Sequence, residues 1–91
     1  MHGPYDEVLF DHLRDLRKHL AEVEGVPPYI VFGDASLIQM ARDKPVDEAG
    51  LLNITGVGQH KLEKYGSDFL DAITLYSLER RQQTEVAEGS L

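Results

Sequence analysis

Apolar residues recur at helical spacing through most of the chain, and the breaks between them fall at Gly and Pro. Leu9, Leu13, Leu16, Leu20 and Val23 step by 4, 3, 4 and 3 and form one stripe on a helix predicted over Asp6–Glu24. Gly25 ends that helix, and Pro27-Pro28 cannot continue it. Phe10, Arg14, Arg17, Lys18 and Ala21 fall on one flank of the stripe, while Asp11, Asp15 and Glu22 fall beyond Lys18. Asp11 can pair with Arg14, and Lys18 with Glu22. This basic edge has two readings, a solvated salt-bridged face or a strip that tracks a phosphate backbone.

Val26-Pro27-Pro28-Tyr29-Ile30-Val31-Phe32-Gly33 is a connector rich in apolar groups, with Val31 and Phe32 expected inside and Ile30 a further candidate. The two prolines restrict the backbone ahead of Tyr29. A ring held rigidly at the surface would stack on an unpaired base, whereas a ring packed on the core would expose only its hydroxyl. Both readings stay open for Tyr29.

Asp34 is expected to cap a short helix through Leu37, Ile38, Met40 and Ala41 to about Asp43, which Pro45 breaks. Asp47 can cap the next, through Leu51, Leu52 and Ile54. A Gly56-Val57-Gly58 turn follows, then a helix from Gln59 to Tyr65 with Leu62 and Tyr65 inward and Lys61 and Lys64 outward. Gly66 is expected to stop it. Ser67 is expected to cap the last helix, with Phe69, Leu70, Ile73, Tyr76 and Leu78 on its apolar side. From Arg80 the chain turns polar, and Thr84 to Leu91 read as a frayed tail. No strand pattern is present. The expectation is an all-α bundle of about five helices, formed by one domain over residues 5–79, with a polar tail over 80–91 and residues 1–4 disordered or vector-derived.

Gly56 and Gly58 allow backbone angles that a Cβ forbids, and they clear side chains from the turn. The helix that starts at Gln59 adds unpaired N–H groups and the positive end of its dipole. Such a turn suits a phosphate. It equally suits two helices that must pack closely.

Composition narrows the function classes. Ninety-one residues allow one small core, and the 42% apolar share is that of a folded chain. The absence of cysteine removes disulfides, thiolate metal sites and a cysteine nucleophile, and fits a reducing compartment. No apolar run approaches the ~18 residues of a membrane span. Nine Lys and Arg against sixteen Asp and Glu leave −7, which opposes long-range attraction to nucleic acid without excluding a local basic patch. Catalysis needs a nucleophile with its base, a paired acid and base, or a metal. His12 and His19 stand two turns apart, ~10 Å along a helix, too far to share a metal unaided. Gly56-Val57-Gly58 lacks the Lys-Ser/Thr ending of a P-loop and the strand that leads a dinucleotide fingerprint. No catalytic residue and no metal site are therefore assigned.

Three segments together resemble one family. They are Leu9-Phe10-x-x-Leu13-Arg14-x-Leu16-Arg17; then Val26-Pro27-Pro28-Tyr29-Ile30-Val31-Phe32-x-Asp34-x-x-Leu37-x-x-Met40-Ala41; then, after Pro45, Leu52-x-Ile54-x-Gly56-Val57-Gly58-x-x-Lys61-Leu62-x-Lys64-Tyr65-Gly66. The chain is similar, from about Tyr5 to Leu78, to the HRDC domain, the helicase-and-RNase-D C-terminal module of RecQ-type DNA helicases and ribonuclease D. The resemblance implies a compact bundle of about five helices, with a short 3-10 turn after the first and a helix-hairpin-helix-like Gly-Val-Gly turn. It implies an accessory, non-catalytic domain that contacts single-stranded or partial-duplex DNA weakly and modulates the DNA-structure specificity of a parent helicase. ATP and Mg2+ would serve the parent, no cofactor this domain, and the setting would be cytoplasmic in a bacterium or nuclear in a eukaryote. By position, the implied contact residues are Tyr29, Gly56, Val57, Gly58, Lys61 and Lys64, with Arg14, Arg17 and Lys18 as a second strip. The acidic charge departs from a DNA-steering copy. It supports an alternative, a protein-interaction or autoregulatory module that docks on the parent's core or on another protein. A generic helix-hairpin-helix domain of another repair protein would explain the Gly-Val-Gly turn but not the Pro-Pro-Tyr run.

Overall fold

The computed structural model describes residues 4–89, with side chains described as far as Arg81. Its elements in chain order are α1 (Glu7–Glu24), α2 (Pro28–Val31), α3 (Asp34–Asp43), α4 (Glu48–Leu52) and α5 (Gln59–Gly89). Among the described residues there is no strand, so the all-α expectation holds. Met1 to Gly3 lie outside the described residues.

Local chemistry sets most of the boundaries. The Asp6 carboxylate accepts the Leu9 N–H at 3.1 Å and caps α1. Gly25, at φ 71°, ends it in the left-handed conformation, its N–H returning to the carbonyls of Ala21 and Glu22. The connector turns once as an α-helix, Pro28–Val31, rather than as a 3-10 turn. Pro28 stands at its start, where a missing N–H costs nothing. Asp47 caps α4 by accepting the Gly50 N–H at 2.8 Å.

Phe32 sits at the centre of the core. It is fully buried, edge-on to Phe69 at 5.0 Å between ring centroids and to Tyr65 at 5.8 Å. Leu9, Leu13 and Ala21 of α1, Leu37 and Met40 of α3, and Leu51 of α4 close around α5 residues Leu62, Tyr65, Phe69, Ile73 and Tyr76.

Several expectations are corrected. Val23 is 71% exposed, and Ala21 is buried in its place. A strict 4-3 stripe drifts by ~20° per heptad on a straight α-helix, so over two heptads it turns about 40° away from the core. The flank with Phe10, Arg17 and Ala21 therefore faces inward. Gly66 does not stop a helix and Ser67 does not cap one, because α5 runs unbroken through both. Gly66 is buried where α4 packs, and a Cβ there would lie 2.8 Å from Leu62 Cδ1 and 3.7 Å from Leu51 Cδ2. Its absent side chain thus serves helix packing, which offsets a propensity loss of roughly 1 kcal/mol. Asp34 is the first residue of α3 rather than its cap; Gly33 takes that place with no side-chain bond. Ile54 lies beyond the end of α4 yet is buried. Ile30 and Leu78 are exposed. Helical backbone continues through residues 84–89, which read as a frayed tail from sequence, and residues 90–91 lie outside the described residues.

Candidate nucleic-acid interface

Tyr29 projects from α2 with 67% of its surface exposed, and Ile30 beside it is also exposed. The two prolines and the burial of Val31 and Phe32 directly after them fix the turn from below. The ring is therefore at the surface, which removes the reading in which it packs on the core.

Phe32, three residues on, joins this platform to two cations. The Arg17 Nη1 donates to the Phe32 carbonyl at 3.0 Å and to Asp34 Oδ1 at 2.8 Å. The Lys61 Nζ lies 5.6 Å from the centre of the Phe32 ring. Only 13% of the Arg17 side chain is exposed, so its guanidinium clasps α1 to the α2–α3 junction. Its Nε is buried without a hydrogen-bond partner among the described residues, which offsets part of what the clasp contributes.

Lys61 opens α5 directly after the Gly-Val-Gly turn. Gly56 has φ 88° and passes so close to Ser36 that a Cβ would fall 2.5 Å from its Oγ. Gly58 has no such constraint: a Cβ there would meet nothing within 4 Å. The two glycines thus differ, one required by packing, the other leaving open space above the turn. Val57 is buried and anchors the turn, its N–H bonded to the Ile54 carbonyl at 3.0 Å. The first amides of α5 follow immediately and lack intrahelical acceptors.

The remaining candidates are distributed differently. Lys64 pairs with Glu24 at 3.2 Å and lies 5.5 Å from the Tyr65 ring centre. The pairing raises the Lys64 pKa above its ordinary value. The Tyr65 hydroxyl donates to the same carboxylate at 2.7 Å and, with Lys64, holds Glu24 below the usual range against the opposing effect of burial. Arg14 packs over the Phe10 ring at 5.6 Å and makes a long contact with Asp11 at 3.9 Å. Lys18 is exposed and makes no ion pair with Glu22 or any other described carboxylate. Tyr29, the turn, Lys61, Lys64 and Arg17 are thus linked through Phe32 and Tyr65, while Arg14 and Lys18 stay on the outer side of α1.

Sequence reasoning missed the two acids that hold these cations, Glu24 and Asp34. Glu24 carried a signal. It closes α1 at the negative end of the helix dipole, with no basic residue in that turn, a place where a carboxylate needs a tertiary partner. Among the described residues, no three His, Asp or Glu side chains gather as a metal cluster, and no helix is long and apolar enough to cross a membrane.

The HRDC domain family model matches residues 6–73. The chain belongs to the HRDC domain family. It is 49% identical over 69 residues to the ATP-dependent DNA helicase RecQ of Haemophilus influenzae, covering 76% of this chain and 11% of that protein. It is 44% identical over 68 residues to the ATP-dependent DNA helicase UvrD2 of Mycobacterium tuberculosis, covering 75% of this chain and 10% of that protein. The solved RecQ HRDC domain 3 of D. radiodurans superposes with a TM-score of 0.72 at 35% identity, covering 75% of this chain and 90% of that one. This HRDC domain spans about a tenth of the length of the curated helicases it matches.

Proposed function

We propose that this HRDC domain is an accessory nucleic-acid-binding and regulatory domain of a RecQ-like DNA helicase. In this reading it contacts single-stranded or partial-duplex DNA weakly and modulates the parent's DNA-structure specificity. The observation that carries the reading is the exposed Tyr29 ring on its proline-braced turn, linked through Phe32 to Lys61, a cation with no carboxylate partner among the described residues. Tyr29 stacks on an unpaired base, Lys61 meets the neighbouring phosphate, and the open Gly58 turn admits the backbone. ATP and Mg2+ act in the parent's catalytic core, to which this domain brings no cofactor. Fluorescence anisotropy with labelled single-stranded DNA tests the reading. Binding that fades between ~20 and ~150 mM salt, and weakens in Tyr29→Ala and Lys61→Ala, supports it.

A second reading has its own observation. Two of the basic candidates are already matched by acids, Lys64 by Glu24 and Arg17 by Asp34, on a chain of net charge −7. In this reading the surplus of acids docks the domain on a basic groove of the parent core, where it competes with DNA. Deleting the domain then raises the parent's DNA affinity or ATP turnover, and a fall in both counts against it.

A further inference from the structure

Glu24 stands at the end of α1, where the helix carbonyls disfavour negative charge, and α5 holds it there. One carboxylate oxygen accepts the Tyr65 hydroxyl at 2.7 Å; the other lies 3.2 Å from the Lys64 Nζ. The Glu24 side chain is 26% exposed and that of Lys64 48%, so the acid is the sheltered partner and the ammonium sits at the rim. Lys61, one turn earlier on α5, rests on the face of Phe32 instead and has no acid partner among the described residues. Two lysines on the first turns of one helix are thus held in opposite ways. One has no counter-charge among the described residues; the other is bound to an internal one.

We propose that Glu24 is a built-in competitor for phosphate that occupies Lys64 and sets the domain's affinity for single-stranded DNA low. This rests on the DNA-contact reading above. An incoming phosphate meets Lys61 directly but reaches Lys64 only by displacing the carboxylate, whose second oxygen remains tied to Tyr65. Affinity is therefore tuned at residue 24, on a different helix from the lysines that meet the strand.

A double-mutant cycle tests this, with E24Q, K64A and E24Q/K64A measured beside the wild type on a labelled single-stranded oligothymidylate at ~20 and ~150 mM salt. E22Q, on the same turn, exposed and with no side-chain partner among the described residues, controls for the change in net charge. The expected result is tighter binding by E24Q, about tenfold at ~20 mM salt, with a salt slope steeper by about 0.7, the share of one added phosphate contact. E22Q is expected to shift affinity less than threefold, and K64A to cost more in the E24Q background than in the wild type. Equal shifts for E24Q and E22Q, or equal costs of K64A in both backgrounds, overturn the competitor. If Tyr29→Ala still weakens wild-type binding in that case, the DNA-contact reading stands without it. If no variant binds DNA, both fall together. The glutamine amide oxygen still accepts the Tyr65 hydroxyl, so E24Q is expected to fold. Should its melting point drop into the assay range, K64A in the wild-type chain decides alone. A loss below threefold supports the competitor, and a loss equal to that of Lys61→Ala overturns it.

Discussion

The Ser36 hydroxyl and the Gly56 backbone meet so closely that a single added carbon at Gly56 would lie 2.5 Å from the Ser36 Oγ. Ser36 cannot yield readily, because it is buried and donates to the Thr55 carbonyl at 2.6 Å. The contact pins the Gly-Val-Gly turn to α3 and so fixes where α5 begins.

Gly56→Ala is expected to cost about 2–4 kcal/mol, combining the positive φ with the clash against Ser36. Gly58→Ala is expected to cost less than about 1 kcal/mol, since its Cβ enters open space at the start of a helix. Urea denaturation of the two variants checks the difference. Equal losses would mean that both glycines serve the fold alone.

Arg17 is expected to behave as a structural residue. Arg17→Ala removes a shielded guanidinium that bonds the Phe32 carbonyl and Asp34, and is expected to destabilise the domain by about 2–3 kcal/mol. Lys18→Ala, at the next position on α1 but exposed, should change stability by no more than about 0.5 kcal/mol. A small loss at Arg17 in chemical denaturation would return it to the surface strip.

Asp6 couples stability to acid. Burial pushes its pKa up, but the Leu9 N–H, the Tyr76 hydroxyl at 2.8 Å and Lys44 at 3.2 Å together bring it below the ordinary value of 3.8. Its folded pKa is depressed, so its contribution is fully present above the unfolded pKa and is lost as pH falls through the folded one. Denaturation midpoints measured downward from pH ~6 should fall in the region below pH ~4, less steeply in Asp6→Ala. The same variant is expected to cost about 1–2 kcal/mol at neutral pH through loss of the cap. An unchanged acid profile would mean that Asp6 does not couple stability to pH.

The elements were legible where a residue acts on its own neighbours. Gly25 ends α1 and Asp47 caps α4 by local chemistry, where the sequence placed them, whereas Asp6, read as the first helical residue, is the cap of α1, and Pro28, read as a break, opens α2. Where a distant partner decides, the local pattern misled. Gly66 looks like a stop, but α4 packs on it and the helix continues. Asp34 looks like a cap, but its carboxylate is taken by Arg17, seventeen residues away in sequence. Val23 fits the leucine stripe only on a helix of period 3.5, not on this one. The candidate interface shows the same division. The two prolines that brace Tyr29 are local and legible, while the exposure of its ring, left open by the sequence, and the pairing of Lys64 with Glu24 depend on how the helices pack.

Whether Tyr29 meets DNA is read by anisotropy of wild type and Tyr29→Ala on labelled single-stranded DNA at ~20 mM salt. Saturable binding by the wild type is expected, with a loss of about 1–3 kcal/mol, roughly five- to 150-fold, in the variant, and both chains equally folded. Equal affinities, or no wild-type binding at micromolar domain, would contradict that contact.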